Sequence, residues 1–316
     1  MSQEKNIREL HRDFISYCVN ARLLRKATIR GHVAAFNNFM NLFNNELTLS
    51  DLTVETMEIF FERLNTRERK VGKEKIAVGV KNSTVGTYWS KLNTFMEWLY
   101  KRNHIAANPF EQLEFPKIQY DDRRYLDKQE LEKIFTAVAT RQWANNFVRK
   151  RNWAIFMVLF CCGLRRGELL GLKVLDIDLD HKMLVVRAAT SKSRLDRTIP
   201  LNVQAFLALT DYLEERAKKG YHNTCLFVSD NMDHEFTKDG LKHTIQVLKQ
   251  ISKVHFFSHR FRHSFAVNMR YQGADISKIK DAMGHVKIDM TSRYLRCVPA
   301  ESMRKDIEAI SIANAL

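Results

Sequence analysis

The chain has 316 residues, with 51 Lys and Arg against 36 Asp and Glu, a net charge of +15. With 45% hydrophobic residues and only 4 Pro and 11 Gly, it is too apolar and too poor in chain breakers to be disordered or collagen-like, and its length suggests two domains. The positive excess points to a polyanionic partner, nucleic acid first, because Lys and Arg that meet phosphates release condensed counterions.

The first residues, MSQEKNIRELHRD, are polar and charged. They form neither a secretory signal nor a membrane anchor, so a cytoplasmic or nucleoid location is expected. Helices are predicted at about residues 4 to 21 and 53 to 65. Between them Ile29, Val33, Phe36, Met40 and Phe43 recur at helical spacing, and further on Val85, Tyr88, Leu92, Phe95 and Leu99 do the same. Asn82, Ser83 and Thr84 offer capping side chains to that last helix. The N-terminal part is therefore predicted as an all-α bundle of four or more helices.

The segment Arg67 to Lys75 reads as a charge-dense loop between two helices. Either it is a solvated turn or it touches phosphates. Arg25, Lys26, Arg30, Lys81 and Lys91, near the starts or outer faces of the periodic helices, are the DNA-contact candidates.

Pro109 and Pro116 bracket a stretch, Asn108 to Arg124, that cannot sustain a helix. Domains are accordingly expected at 1–115 and 125–316, joined by a linker at 116–124. After the linker, helices are predicted at about 128 to 140 and 145 to 161. The apolar run Trp153 to Leu164 lies in the second of these and is too short for a membrane span, which takes about 20 residues. No membrane role is expected. Two β-rich runs follow, Lys182 to Ala188 and Arg197 to Leu201, around the polar turn Thr190 to Asp196. From about residue 203 the chain reads as mostly helical, giving a mixed domain with a small sheet. Cys18, Cys161, Cys162, Cys225 and Cys297 show no metal-ligand spacing and read as reduced, mostly buried thiols. No metal and no cofactor are expected.

Four short segments carry the chemistry. Gly163 to Leu169 (GLRRGEL) sets Arg165 at a Gly-flanked turn beyond a buried helix, where a guanidinium can face a phosphate and Glu168 can orient a neighbour. Ser258 to Phe265 (SHRFRHSF) puts His259 and Arg262 three apart at a helix start, a natural anion site. Gly284-His285 is followed, nine residues after the histidine, by Tyr294.

In this order the four segments resemble the tyrosine recombinase family, also called phage integrase or Xer-like, and the resemblance spans essentially the whole chain. It extends to Lys192 before Arg197-Thr198-Ile199-Pro200-Leu201, and to the N-terminal run from Ser83-Thr84 through Trp98-Leu99 to Asn108-Pro109. Arg260-Phe261, where a Leu commonly precedes the second catalytic Arg, and the bulky Arg166 depart from the family pattern without removing a chemical group.

The resemblance implies a mainly α fold with a small β-sheet in the catalytic domain. A helical core-binding domain and the catalytic domain would close as a C-shaped clamp on double-stranded DNA. It further implies Arg165, Lys192, His259, Arg262, His285 and Tyr294 as catalytic residues. Tyr294 would form a 3′-phosphotyrosyl link, Arg165 and Arg262 would hold the phosphate with a hydrogen bond from His285, His259 would accept the phenol proton, and Lys192 would protonate the leaving 5′-oxygen. A homotetramer on two DNA sites, passing through a Holliday junction without metal or ATP, is expected. The C-terminal tail, with Met303, Ile307 and Ile310 at helical spacing, would dock on a neighbouring protomer. Because the helical part starts close to Met1, simple core sites without an added arm-binding domain are expected. The rival readings are a type IB topoisomerase-like relaxase and a catalytically silent DNA-binding relative.

Overall fold

A computed structural model describes residues 6–71, 75–117, 125–190, 195–230 and 232–295, and the chain divides into two compact units, Met1–Asp121 and Asp122–Leu316. The fold is mainly helical with two small antiparallel sheets, and among the described residues no helix is long and apolar enough to cross a membrane.

Unit 1 holds α1 (Ile7–Asn20), α2 (Lys26–Leu42), α3 (Val54–Thr66), β1 (Glu68–Val71), β2 (Lys75–Val78) and α4 (Asn82–Lys101). Asn6 starts α1 with a capping box closed by Glu9, and Thr53 caps α3 through its hydroxyl. The apolar stripes of the four helices meet in an aromatic core of Phe14, Phe36, Phe39, Phe60 and Phe95, edged by Trp98. Where the expected interdomain break begins, Pro109–Gln112 forms a 3-10 turn whose Phe110 is buried against Trp89, and residues 118–124 of that break lie outside the described residues.

Two expectations are corrected in this unit. The Arg67–Lys75 loop is a two-stranded antiparallel ribbon, β1 against β2, pairing Glu68 with Val78 and Lys70 with Ile76. Consecutive charges at Glu68, Arg69 and Lys70, and exposure of Ile76 and Val78 to water at 60% and 68%, removed the apolar-in, polar-out alternation by which a strand is recognised. The second concerns α4. Its cap is Lys81, whose carbonyl accepts from Thr84 and Val85 N–H, so Asn82, Ser83 and Thr84 lie inside the first turn. The chain leaves β2 through Gly79 in the left-handed region, where a Cβ would sit 2.3 Å from the Asn65 carbonyl oxygen, and Lys81 is extended before the helix starts.

Unit 2 holds α5 (Lys128–Thr140), α6 (Asn146–Cys162), α7 (Arg166–Leu170), β3 (Ile177–Asp178), β4 (Met183–Val186), β5 (Arg197–Pro200), α8 (Val203–Lys218), α9 (Lys238–Ser252), α10 (Ser258–Tyr271), α11 (Ile276–Met283) and α12 (Ile288–Leu295). Helix α6 is buried on nearly every side and packs against α8 and α10, so its apolar run is a core helix. The sheet runs β3-β4-β5, with Leu184 opposite Ile199 and both buried. β3, two residues long, was not anticipated. Cys18 and Cys162 are buried and Cys161 and Cys225 half-buried, all four as free thiols; Cys297 lies outside the described residues.

Two histidines are buried in the unit 1 core. His11 stacks on Phe36 at 3.8 Å, and His32 meets Phe14 edge-on at 5.2 Å. Burial, reinforced for His11 by His32 and for His32 by Lys91, lowers both from 6.5 to about 4. The unfolded chain therefore takes up these protons first, so stability is full above pH 6.5 and is lost as pH falls toward 4. Between pH 7 and pH 5 each histidine should cost on the order of 2 kcal/mol. Thermal melts at the two pH values should show this loss, and His11→Phe should shrink it; equal losses in variant and wild type would contradict it.

Candidate active site

Helix α6 ends at Gly163, which adopts φ +59, and a Cβ there would lie 2.3 Å from the Phe265 ring on α10. Only glycine permits both the left-handed turn and this approach. The turn delivers Arg165, extended, to the start of the short helix α7, one turn before Glu168.

Glu168 is 1% exposed and gathers the cations around it. Its Oε2 accepts the Arg165 backbone N–H at 2.9 Å and its Oε1 the Arg165 Nη1 at 2.7 Å. Arg197, the first residue of β5, donates from Nη2 at 2.8 Å and Nη1 at 3.3 Å. Arg262 Nη1 stands 3.8 Å away. Burial by itself would raise the Glu168 carboxyl, but the hydrogen bonds and charge of Arg197 and the bonds from Arg165 outweigh it and hold the group at about 2. One carboxylate thus faces three guanidiniums, and the cluster keeps a net positive charge.

The loop after α11 closes over this cluster. Arg165 reaches the carbonyls of Met283 and Gly284 at 3.5 and 3.4 Å, and Arg197 Nε donates to the Ala282 carbonyl at 2.8 Å. Gly284 has φ +61, and a Cβ on it would stand 2.8 Å from Arg197 Nη1, so this loop also needs glycine. Arg262, on α10, is fully buried and donates to the carbonyls of Gly163, at 2.7 Å, and Met283.

His285 joins the cluster to the helix that carries Tyr294. Arg262 Nη2 lies 2.9 Å from His285 Nε2, and a guanidinium can only donate, so Nε2 accepts and the ring proton is on Nδ1. Nδ1 then donates to Thr291 Oγ1 at 2.9 Å, and Thr291 lies on α12, one turn before Tyr294. Burial first, then the charges of Arg262, Arg165 and Arg197, lower His285 to about 3, which keeps the ring neutral.

The structure therefore brings Arg165, Arg262 and His285 together. His259, in the first turn of α10, is exposed, with its ring 5.1 Å from that of His263, whereas Arg262 is buried; the two do not present one shared face to solvent. Arg262 and His285 also differ from expectation in detail. Arg262 Nη1 and Nη2 and both ring nitrogens of His285 are engaged with Gly163, Met283, Thr291 and each other. Arg165 is the cation with some exposure, 18% of its side chain. Lys192, the Tyr294 side chain and the tail from Met303 lie outside the described residues.

Of the DNA-contact candidates, Arg25, Lys26, Arg30 and Lys81 are exposed on unit 1. Lys91 is not: it is half-buried between α2 and α4, with Nζ 3.4 Å from His32 Nε2 and its aliphatic chain against Gly31, and burial lowers its pKa. Its place on the outer face of α4 is corrected accordingly. Sequence reasoning missed Arg197 and Thr291 as members of the cluster. Arg197 had served only to mark the strand, and a threonine before the tyrosine carries no signal of its own until the helix is folded against His285. Among the described residues no group of three His, Cys, Asp or Glu side chains could hold a metal.

Two family models match the chain: the phage integrase family over residues 124–300 and the phage integrase SAM-like domain over residues 12–118. A tyrosine recombinase XerC from Bacillus pumilus is 28% identical over 301 residues, covering 92% of each chain, and a tyrosine recombinase from Pseudothermotoga lettingae is 25% identical over 290 residues, covering 92% of this chain and 94% of the relative. Among solved structures, the Tn1549 transposon integrase in complex with a circular intermediate DNA superposes with a TM-score of 0.74 at 19% identity, covering 96% of this chain and 98% of that one. The XerH site-specific recombinase bound to palindromic difH substrate gives 0.69 at 19% identity, covering 95% and 83%. The matches and the fold define a tyrosine-type site-specific recombinase. The chain belongs to the phage integrase family.

Selective nitrogen-15 labelling of the histidines checks the site directly. His285, identified by the loss of its signals in His285→Gln, should carry its proton on Nδ1 and stay neutral from pH 8 to pH 5. A ring that titrates near 6.5 would contradict the burial and the Arg262 contact.

Proposed function

We propose that the chain is a site-specific DNA recombinase that cuts and rejoins strands through a covalent tyrosyl intermediate. The observation that carries this reading is the convergence of Arg165 and Arg262 on one buried carboxylate, with His285 bonded to Arg262, in a family whose model spans residues 124–300.

A phosphodiester repels nucleophiles, and attack places further negative charge on its nonbridging oxygens. Guanidiniums fixed in advance can absorb that charge without reorganising, which is where most of the rate gain is expected. In the proposed step the Tyr294 oxygen bonds to phosphorus as the P–O5′ bond breaks, leaving a 3′-phosphotyrosyl link and a free 5′-hydroxyl. The phenol, with an ordinary pKa of about 10, passes its proton to His259, and Lys192 gives one to the departing O5′. Arg165 meets the phosphate first, and Arg262 follows by exchanging the Met283 carbonyl for one of its oxygens; His285 joins by moving its ring proton from Nδ1 to Nε2, with the Thr291 hydroxyl then donating to Nδ1. A 5′-hydroxyl from a second duplex reverses the step. The link conserves the energy of the phosphodiester, so neither ATP nor a metal has a part.

In this reading unit 1 is the core-binding domain, with Arg25, Lys26, Arg30 and Lys81 on phosphates, and residues 116–124 link it to the catalytic unit 2. Four protomers on two DNA sites, with the C-terminal tail docked on a neighbour, would form the Holliday junction. Double-stranded DNA as substrate fits work in the cytoplasm, at the nucleoid.

A duplex of its own site, nicked next to the scissile phosphate so that the cut fragment diffuses away, tests this. Wild type should accumulate a protein–DNA covalent band. Tyr294→Phe should give none while binding within about twofold of wild type, and Arg165→Ala should slow band formation by about 100-fold or more. A covalent band from Tyr294→Phe would refute the assignment.

A further inference from the structure

We propose that the β1–β2 ribbon is a second DNA-reading element of unit 1, one that enters a groove of the duplex beside the helices that track its backbone. The proposal rests on the recombinase reading above and adds to it a surface that helical contacts do not supply.

By the register of the ribbon, Ile76 and Lys70 face each other and share a side with Glu68 and Val78, while Arg69 and Ala77 take the opposite side. The first side is open to water: Ile76 is 60% and Val78 68% exposed. Two aliphatic side chains set outward on one small sheet have no part in the unit 1 core, whose buried members come from the helices, the 3-10 turn and Leu52 in the loop before α3. The sequence from Arg67 to Lys75 carries five basic and two acidic residues. An apolar pair on a positively charged two-stranded ribbon suits the major groove, which is wide enough for such a ribbon and exposes thymine methyls to apolar side chains and phosphates at its edges to lysine. A second copy of this chain is the weaker match, since pairing edge to edge would bring two like-charged ribbons together.

The root of the ribbon is held where a reading element needs to be held. Arg67 Nη2 donates to Asn38 Oδ1 on α2 at 3.2 Å, and Asn38 Nδ2 donates to the Tyr88 hydroxyl on α4 at 3.0 Å. Arg69 Nε donates to the Gly79 carbonyl at 2.6 Å, closing the base of the ribbon. From there the chain passes straight to Lys81 and the start of α4. Ribbon, α2 and α4 therefore form one body, and the exposed cations Arg25, Lys26, Arg30 and Lys81 belong to it.

The test uses the full chain and a 40-base-pair mixed-sequence duplex, followed by fluorescence anisotropy from 50 to 200 mM KCl. Lys70→Ala should weaken binding severalfold and lower the log–log salt slope by about one. The double variant Ile76→Thr, Val78→Thr keeps β-forming side chains, so the ribbon should persist. It should leave the slope alone but erase a thymine preference that wild type shows in selection from a randomised duplex pool. Unchanged slopes and unchanged selected sequences in both variants would overturn the proposal. So would concentration-dependent self-association of wild type that the double variant abolishes, since that assigns the face to a second copy. Covalent band formation by wild type on the nicked duplex reports the recombinase reading alone, so failure of the ribbon and failure of that reading are separable.

Discussion

Glu168 sits in the interior among three guanidiniums, and taking charges out of water is costly unless each finds a partner. Arg165, Arg197 and Arg262 arrive from three different parts of the chain: the turn after α6, the first residue of β5, and the middle of α10. A lone buried guanidinium in any of those places would destabilise the unit, and a lone buried Glu168 would take up a proton. Together they hold one another in the charged form. Removing one partner leaves uncompensated charge behind, so the cluster fixes the relative placement of the helix, the strand and the turn as well as the electrostatics of the site. It stays cationic overall, which is what an anionic substrate requires.

The backbone does as much as the side chains to shape this place. Two glycines with positive φ, Gly163 and Gly284, end α6 and α11 and turn carbonyls toward Arg262 and Arg165. Those carbonyls are weak, neutral acceptors. They satisfy the guanidiniums when no phosphate is bound, and a phosphate oxygen, being charged, is the stronger acceptor for the same donors. His285 extends the arrangement to α12 through Thr291, so the orientation of Arg262 and the docking of the helix that carries Tyr294 are linked by two hydrogen bonds in series. A shift of α12 is therefore felt at Arg262.

Much of this was legible in the sequence, and for definite reasons. The long amphipathic helices announce themselves by period, and α2, α5 and α6 fall within a few residues of where the apolar spacing places them. The small sheet in unit 2 was legible because Leu184, Val186 and Ile199 keep an apolar face. The ribbon of unit 1 was not, because neither of its faces is buried and its charges imitate a loop. Lys91 was misplaced because a lysine on a helix reads as a surface residue, while the small Gly31 on α2 lets its chain lie down between the helices and reach His32. In the site, Arg165, Arg262 and His285 stand out because their segments, GLRRGEL, SHRFRHSF and Gly284-His285, occur in the order that resembles the phage integrase family. Arg197 and Thr291 do not, since their importance comes from contacts across 29 residues to Glu168 and six to His285, which no local pattern records.

In the proposed reaction the guanidiniums would neutralise a nonbridging phosphate oxygen, and chemistry can remove that oxygen's charge without touching the protein. A duplex with a methylphosphonate at the scissile position presents a neutral centre to Tyr294. If charge neutralisation is the task of Arg165, Arg165→Ala should cleave this substrate at a rate close to that of wild type, despite its large defect on the ordinary phosphate. A defect of equal size on both substrates would contradict the account.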